Sequence, residues 1–210
     1  MIKNIFKKII LTAVILIGML LIFTKPIMYK LVAHNSAQAV KNVTAKAASH
    51  VKPTYDPKKV NSLGIGTLIK DSQHPNTNQI GILAIPAVNI KLPIFIGISD
   101  ANLAKGVGTM RPNEKVGAGN YALAGHHMEN PHILLSPLSR LNNDTKIQVI
   151  TRKHIYTYQT KSIKIIAASD INSIKDSKKA QITLITCASG KPGETRRICV
   201  KGDLIQINHK

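Results

Sequence analysis

The sequence predicts an all-β domain closed into a barrel and carried behind one apolar N-terminal segment. From Gln79 to Ile207 the chain is a succession of short β-branched runs, broken by Gly, Pro, Asn and Ser, the pattern of short strands joined by turns. The runs number eight or nine with little helical pattern between them, and closure removes the exposed edges that so many short strands would otherwise leave. Ahead of them, Ile9 to Phe23 is apolar at every position except Thr12 and Gly18. No internal repeat is visible.

The apolar run is preceded by Lys3, Lys7 and Lys8 with no acid, and closed by Lys25-Pro26. Alone it is short for a span, which takes about 20 residues. Ile5 and Phe6 extend it at one end while Lys7 and Lys8 snorkel, and Pro26 to Tyr29 extend it at the other. Ala37-Gln38-Ala39 has the form of a signal-peptidase site but lies well beyond the run. The segment therefore reads as an uncleaved anchor, residues 1–30, with the N-terminus inside and the remainder outside.

Residues 31–77 read as an extracellular stalk rich in Ala, Lys, Asn and Ser, with a weak helix over Val40–Val51 ended by Pro53 and Pro57. The polar stretch Lys70 to Asn78 marks the boundary of a catalytic domain over 78–210.

Within that domain the expected strands are Ile80–Pro86, Val88–Ile96, Tyr121–Gly125, Lys146–Thr151, His154–Thr160, Ile163–Ala168, Ile182–Cys187, Arg197–Val200 and Leu204–Ile207. Pro93 demotes part of the second run to an edge, because it has no N–H to give. Asp100 to Ala104 suits one helical turn with Asp100 as N-cap.

The net charge of +19, from 29 basic against 10 acidic residues, calls for an anionic neighbour. Trp is absent and aromatics are 4% of the chain, so the stacking platforms of single-strand binders are scarce. There is no zinc-finger spacing, no RNA-binding aromatic motif and no Gly-rich phosphate loop. Envelope chemistry is favoured over nucleic acid. The two cysteines, Cys187 and Cys199, form a disulfide or stay as free thiols; the sequence allows both.

The chemistry centres on Thr183-Leu184-Ile185-Thr186-Cys187, a β-branched run ending on a thiol. Alternation places Thr183, Ile185 and Cys187 on one face, with the sulfur at the sheet's rim. In Tyr121 to His127, alternation groups Ala122, Ala124 and His126, leaving a shallow strip for an extended peptide, while His127 points the other way. In Arg196 to Val200 the core pair is Ile198 and Val200, so Arg197 shares its face with Cys199 and Lys201. A bulge there would exchange Arg196 for Arg197.

A His after Ala-Gly, a Cys closing TLITC, and an Arg shortly beyond it together resemble the class A sortases. Gly81 to Pro86, Leu92-Pro93-Ile94, Leu103 to Met110 and Val200 to Leu204 match in order, over about residues 78 to 208. His126-His127-Met128 resembles the streptococcal and listerial branch. The resemblance implies an eight-stranded sortase barrel and a cysteine transpeptidase acting on Leu-Pro-x-Thr-Gly sorting signals, with a peptidoglycan-precursor amine as acceptor. By position it implies Cys187 as nucleophile, His126 as general acid/base and Arg197 as the family arginine, with Arg196 favoured by the staphylococcal pattern. Ala124, Thr183 and Ile185 match groove-lining positions, and Ile171 and Ile174 fall in the loop that closes over the signal. Some sortases bind calcium before the histidine strand; here Arg111 to Gly117 carries one acid and two bases, so no metal and no cofactor are expected. Two other readings use the same residues or none of them: a cysteine hydrolase, and a tethered basic protein that binds wall polyanions.

Overall fold

A computed structural model describes residues 2–41, 53–57, 60–61 and 78–210. The readings over Val40–Val51 and Lys70–Asn78 fall almost wholly outside these residues. Strands β1 (Gln79–Ile85), β2 (Ile90–Phe95), β3 (Val107–Thr109), β4 (Asn120–Gly125), β5 (Lys146–Ile150), β6 (His154–Ala167), β7 (Gln181–Cys187) and β8 (Arg196–His209) close into a barrel in the order β1-β2-β3-β4-β7-β8-β6-β5. The β2–β3 and β4–β7 contacts are parallel and the others antiparallel. The expected all-β barrel is the observed one.

Inward-facing residues fill it as alternation requires: Tyr121 and Leu123 from β4, Ile182 and Leu184 from β7, Ile198 and Val200 from β8. The opposite parity of the same strands (Ala122, Ile185 and Cys199) belongs to a second apolar cluster with Ile98, Leu103 and Met110. One alternation therefore builds both a core and an outer apolar wall.

Four local differences have physical causes. β3 is a strand of three residues, too short to show a period. β6 and β8 are each one long strand where the sequence suggests two, because irregularities at Thr157/Tyr158 and Thr160/Ser162 break the alternation without breaking the ladder. Pro93 is accommodated because β3 pairs only with Ile94 and Phe95, leaving that side of Pro93 without a strand partner. The turn Asp100–Leu103, here α2, is capped by Ser99, whose hydroxyl accepts from Asn102 N–H at 3.3 Å. Asp100 is instead the first helical residue.

The N-terminal helix α1 spans Ile2–Lys41 and is long and apolar enough to cross a membrane. It does not end near residue 30. Residues read as the start of a stalk continue it and carry a buried stripe, Val32, Ser36 and Ala39, at helical spacing against the barrel.

Candidate active site

The parallel register of β4 and β7 pairs Ala122 with Thr183 and Ala124 with Ile185. The next outward-facing residues along the two chains are His126 and Cys187. On the other side of β7, Cys187 pairs with Arg197 and Ile185 with Cys199. The rim of the barrel thus brings Cys187 between the paths of His126 and Arg197, on the side of the sheet that carries the apolar wall. Cys187 is partly exposed; Cys199 is buried; both are free thiols.

Three contacts hold this rim. Thr186, on the inward parity, donates its hydroxyl to Gly125 O at 2.9 Å and ties the end of β7 to the end of β4. His127 Nδ1 donates to the Cys187 carbonyl oxygen at 2.7 Å. Leu135 N–H donates to His126 O at 3.0 Å, fixing the chain just beyond β4. The doubled histidine thus has divided duties, which side-chain parity suggests but cannot assign.

His126 is partly exposed as a residue, yet its Nε2 is buried and has no hydrogen-bond partner among the described residues. Burial drives its pKa down to about 4, against a small opposing pull from Asp100, so the imidazole is neutral at pH 7. The Arg197 guanidinium turns back on the loop before it, Nη1 donating to Glu194 O at 2.6 Å and to Arg196 O at 3.0 Å. Arg196 is exposed and pairs with Glu194, Nε to Oε1 at 3.2 Å. Bonds from Arg196 N–H and the Ser189 hydroxyl hold the Glu194 carboxyl down at about 2.

Ala124 and Ile185 lie on the apolar wall. Thr183 is fully buried and gives its hydroxyl to Asn120 Oδ1 at 2.7 Å. Asn120 Nδ2 in turn donates to Ser173 O and Lys175 O, at 3.2 and 2.8 Å, in the loop between β6 and β7. Thr183 therefore supports that loop from beneath. Of the two loop isoleucines, Ile174 packs on the apolar wall while Ile171 is exposed. Val60 packs on the same wall, and Asn61 holds Asp100 through its backbone and side-chain amides at 2.8 and 2.7 Å.

A second network went unseen in the sequence. Arg111, between β3 and β4, bonds Glu114 Oε1 at 2.9 Å and reaches Asp176 Oδ1 at 3.6 Å in the β6–β7 loop. Asp176 also accepts from Asn120 N–H at 3.0 Å. Glu114 is almost completely covered, and its desolvation raises the carboxyl to about 7 despite Arg111. A guanidinium therefore bridges the two loops at this point. Among the described residues no group of three or more His, Cys, Asp or Glu side chains could hold a metal.

A family model described as a sortase domain matches residues 83–205, which include His126, Cys187 and Arg197. The chain belongs to the sortase family. Sortase A of Listeria monocytogenes is 33% identical over 204 residues, covering 94% of this chain and 91% of that protein. Sortase A of Streptococcus agalactiae is 32% identical over 212 residues, covering 96% and 85%. The crystal structure of Listeria monocytogenes sortase A superposes with a TM-score of 0.62 at 34% identity, over 63% of this chain and 91% of that one. As a sortase A homologue it is a cysteine transpeptidase, and its N-terminal apolar helix is consistent with a membrane anchor.

Proposed function

We propose that this sortase is tethered by α1 with its barrel outside the cell. There it cleaves a Leu-Pro-x-Thr-Gly sorting signal between Thr and Gly and transfers the acyl portion to an amine of a peptidoglycan precursor. The observation that carries the reading is the pairing of Cys187 with Arg197 at the barrel rim, beside the path of His126. The basic flank Lys3, Lys7 and Lys8 favours a cytoplasmic N-terminus.

The extended signal lies along the apolar wall, its leucine and proline against Ala124, Ile185 and the Ile174 side of the β6–β7 loop. Neutral His126 takes the Cys187 proton as sulfur attacks the threonine carbonyl carbon. Arg197 stabilises the oxyanion that forms. Collapse breaks the C–N bond, and the imidazolium of His126 gives its proton to the departing glycine amine, leaving a thioester on Cys187. An incoming amine attacks that thioester and loses its proton to His126. The sulfur departs as thiolate and recovers the proton. The apolar setting of His126 disfavours the standing imidazolium–thiolate pair, so the proton moves when substrate is present.

Incubating the full-length enzyme with a Leu-Pro-x-Thr-Gly peptide and an amine tests the reading. A product carrying the amine in place of glycine supports transpeptidation. Free acid regardless of amine means a hydrolase, and unchanged peptide with salt-sensitive binding of wall polyanions means a binding protein.

A further inference from the structure

The geometry points to α1 as a rigid strut that seats the catalytic rim of the barrel against the anionic headgroups of the bilayer, so that the site works along the membrane surface. This rests on the reading of α1 as the anchor and adds where and how the barrel is held.

Apart from Ile27, on the stretch where Met28 and Tyr29 pack against the barrel instead of extending the span, the exposed large apolar side chains of α1 lie between Ile5 and Phe23. Lys25 follows almost at once, and its Nζ lies 2.7 Å from Glu129 Oε2. At 1.5 Å per residue, Lys25 stands about 3 Å beyond Phe23 along the helix. The headgroup layer is about 5–8 Å deep on each side of the hydrocarbon. Glu129 is therefore held at headgroup depth.

The joint is stiff. Met28, Tyr29 and Leu31 pack against the barrel core, Val32 and Ala39 are fully buried, and the Ser36 hydroxyl donates to Lys105 O. Pro26 removes one helical bond, the weak point of such a helix. Contacts to the barrel lie on both sides of it, Lys25 before and Tyr29 after, and splint it.

The gripped rim is also the catalytic one. Glu129 closely follows His126 and His127. Gly190, in the loop between Cys187 and Arg197, sits so tightly on Glu129 N and the Met128 carbonyl that a Cβ has no room there. The loop exposes Lys191 and Arg196, and α1 exposes Lys25 and Lys30. The acids of the rim are engaged, Glu129 by Lys25 and Glu194 by Arg196. Lys30 and Lys191 stand outside these two ion pairs and are the cations the rim offers to an anionic surface. The far end of the barrel, at Lys153, lies about 40 Å away along β6, at about 3.3 Å per residue.

The test uses the full-length enzyme in vesicles containing phosphatidylglycerol, with a fluorescent amino acid replacing Lys191 or, as control, Lys153. Nitroxide-headgroup lipids should quench the label at 191 strongly and the label at 153 little. Ser36→Trp, which wedges the helix off the barrel, should abolish that difference. It should also cut turnover of a lipid-tethered donor peptide about tenfold through lost effective concentration, while turnover of a soluble peptide is unchanged. Failure of the enzyme to float with vesicles would remove the anchor reading and this one with it. Flotation with equal quenching at 191 and 153, or equal turnover of tethered peptide by Ser36→Trp, overturns the strut alone.

Discussion

Cys187 and Arg197 face each other across the β7–β8 ladder, and the Arg197 guanidinium is steadied by two backbone carbonyls, Glu194 O and Arg196 O. A planar fork held in this way is not replaced by an ammonium. Arg197→Lys is expected to lower kcat/KM for a sorting peptide by about 10²-fold, the size of a lost oxyanion donor. Arg196→Ala, which removes an exposed ion pair, should stay within about threefold. Steady-state kinetics on the two variants decide which arginine serves the reaction; the reverse ranking would move the role to Arg196.

The two thiols should differ in reactivity. Cys187 is partly exposed, whereas Cys199 is buried and desolvation raises its pKa. Iodoacetamide on the folded enzyme should give one adduct, at Cys187, with loss of activity. Cys199→Ala should retain near-normal turnover. Peptide mapping after alkylation checks this, and modification of Cys199 at a similar rate would contradict it.

His126 and Glu114 make opposed contributions to the pH dependence of stability. Burial holds the folded pKa of His126 near 4, below its unfolded value of 6.5. Its contribution is therefore present above pH 6.5 and lost as pH falls toward 4, by about 3 kcal/mol. Glu114 is raised from 4.5 to about 7. Its contribution is present below pH 4.5 and lost as pH rises through 7, again by about 3 kcal/mol. The two windows overlap and largely cancel. Urea unfolding of Glu114→Gln should reveal stability falling on acidification below pH 6.5, and His126→Asn should reveal stability falling on alkalinisation toward pH 7. Parallel pH profiles for the two variants would refute both assignments.

Arg111 spans the β3–β4 and β6–β7 loops through Glu114 and Asp176. Arg111→Ala should loosen the loop that carries Ile174 and raise KM for the sorting peptide several-fold, with a smaller effect on kcat. Wild-type activity should be the same in chelator and in added calcium. A loss in chelator that calcium restores would show a metal requirement instead.

Much of the barrel is legible because alternation is a local property. Tyr121 and Leu123 against Ala122 and Ala124, or Ile198 and Val200 against Arg197 and Cys199, assign core and outer wall without knowledge of any partner strand. The same parity foresaw Cys187 and Arg197 on one face. Parity does not report what covers a face. Thr183 shares the outward parity of Cys187 and Ile185, yet it lies beneath the β6–β7 loop, hydrogen-bonded to Asn120. The links among Arg111, Asn120 and Asp176 join residues far apart in the chain, and no spacing rule announces them. The docked half of α1 was hidden for a related reason. Val32, Ser36 and Ala39 form a stripe too small and too polar to read as a packing face until the barrel is beside it.

The proposed reaction passes through a thioester on Cys187. Full-length enzyme mixed with a sorting peptide in the absence of amine, acid-quenched within the first turnover and measured by intact and peptide-level mass spectrometry, tests it directly. The expected result is an added mass equal to the acyl portion ending in threonine, located on Cys187, and its disappearance on adding an amine. Product formation with no adduct at Cys187, or undiminished turnover by Cys187→Ala, would contradict it.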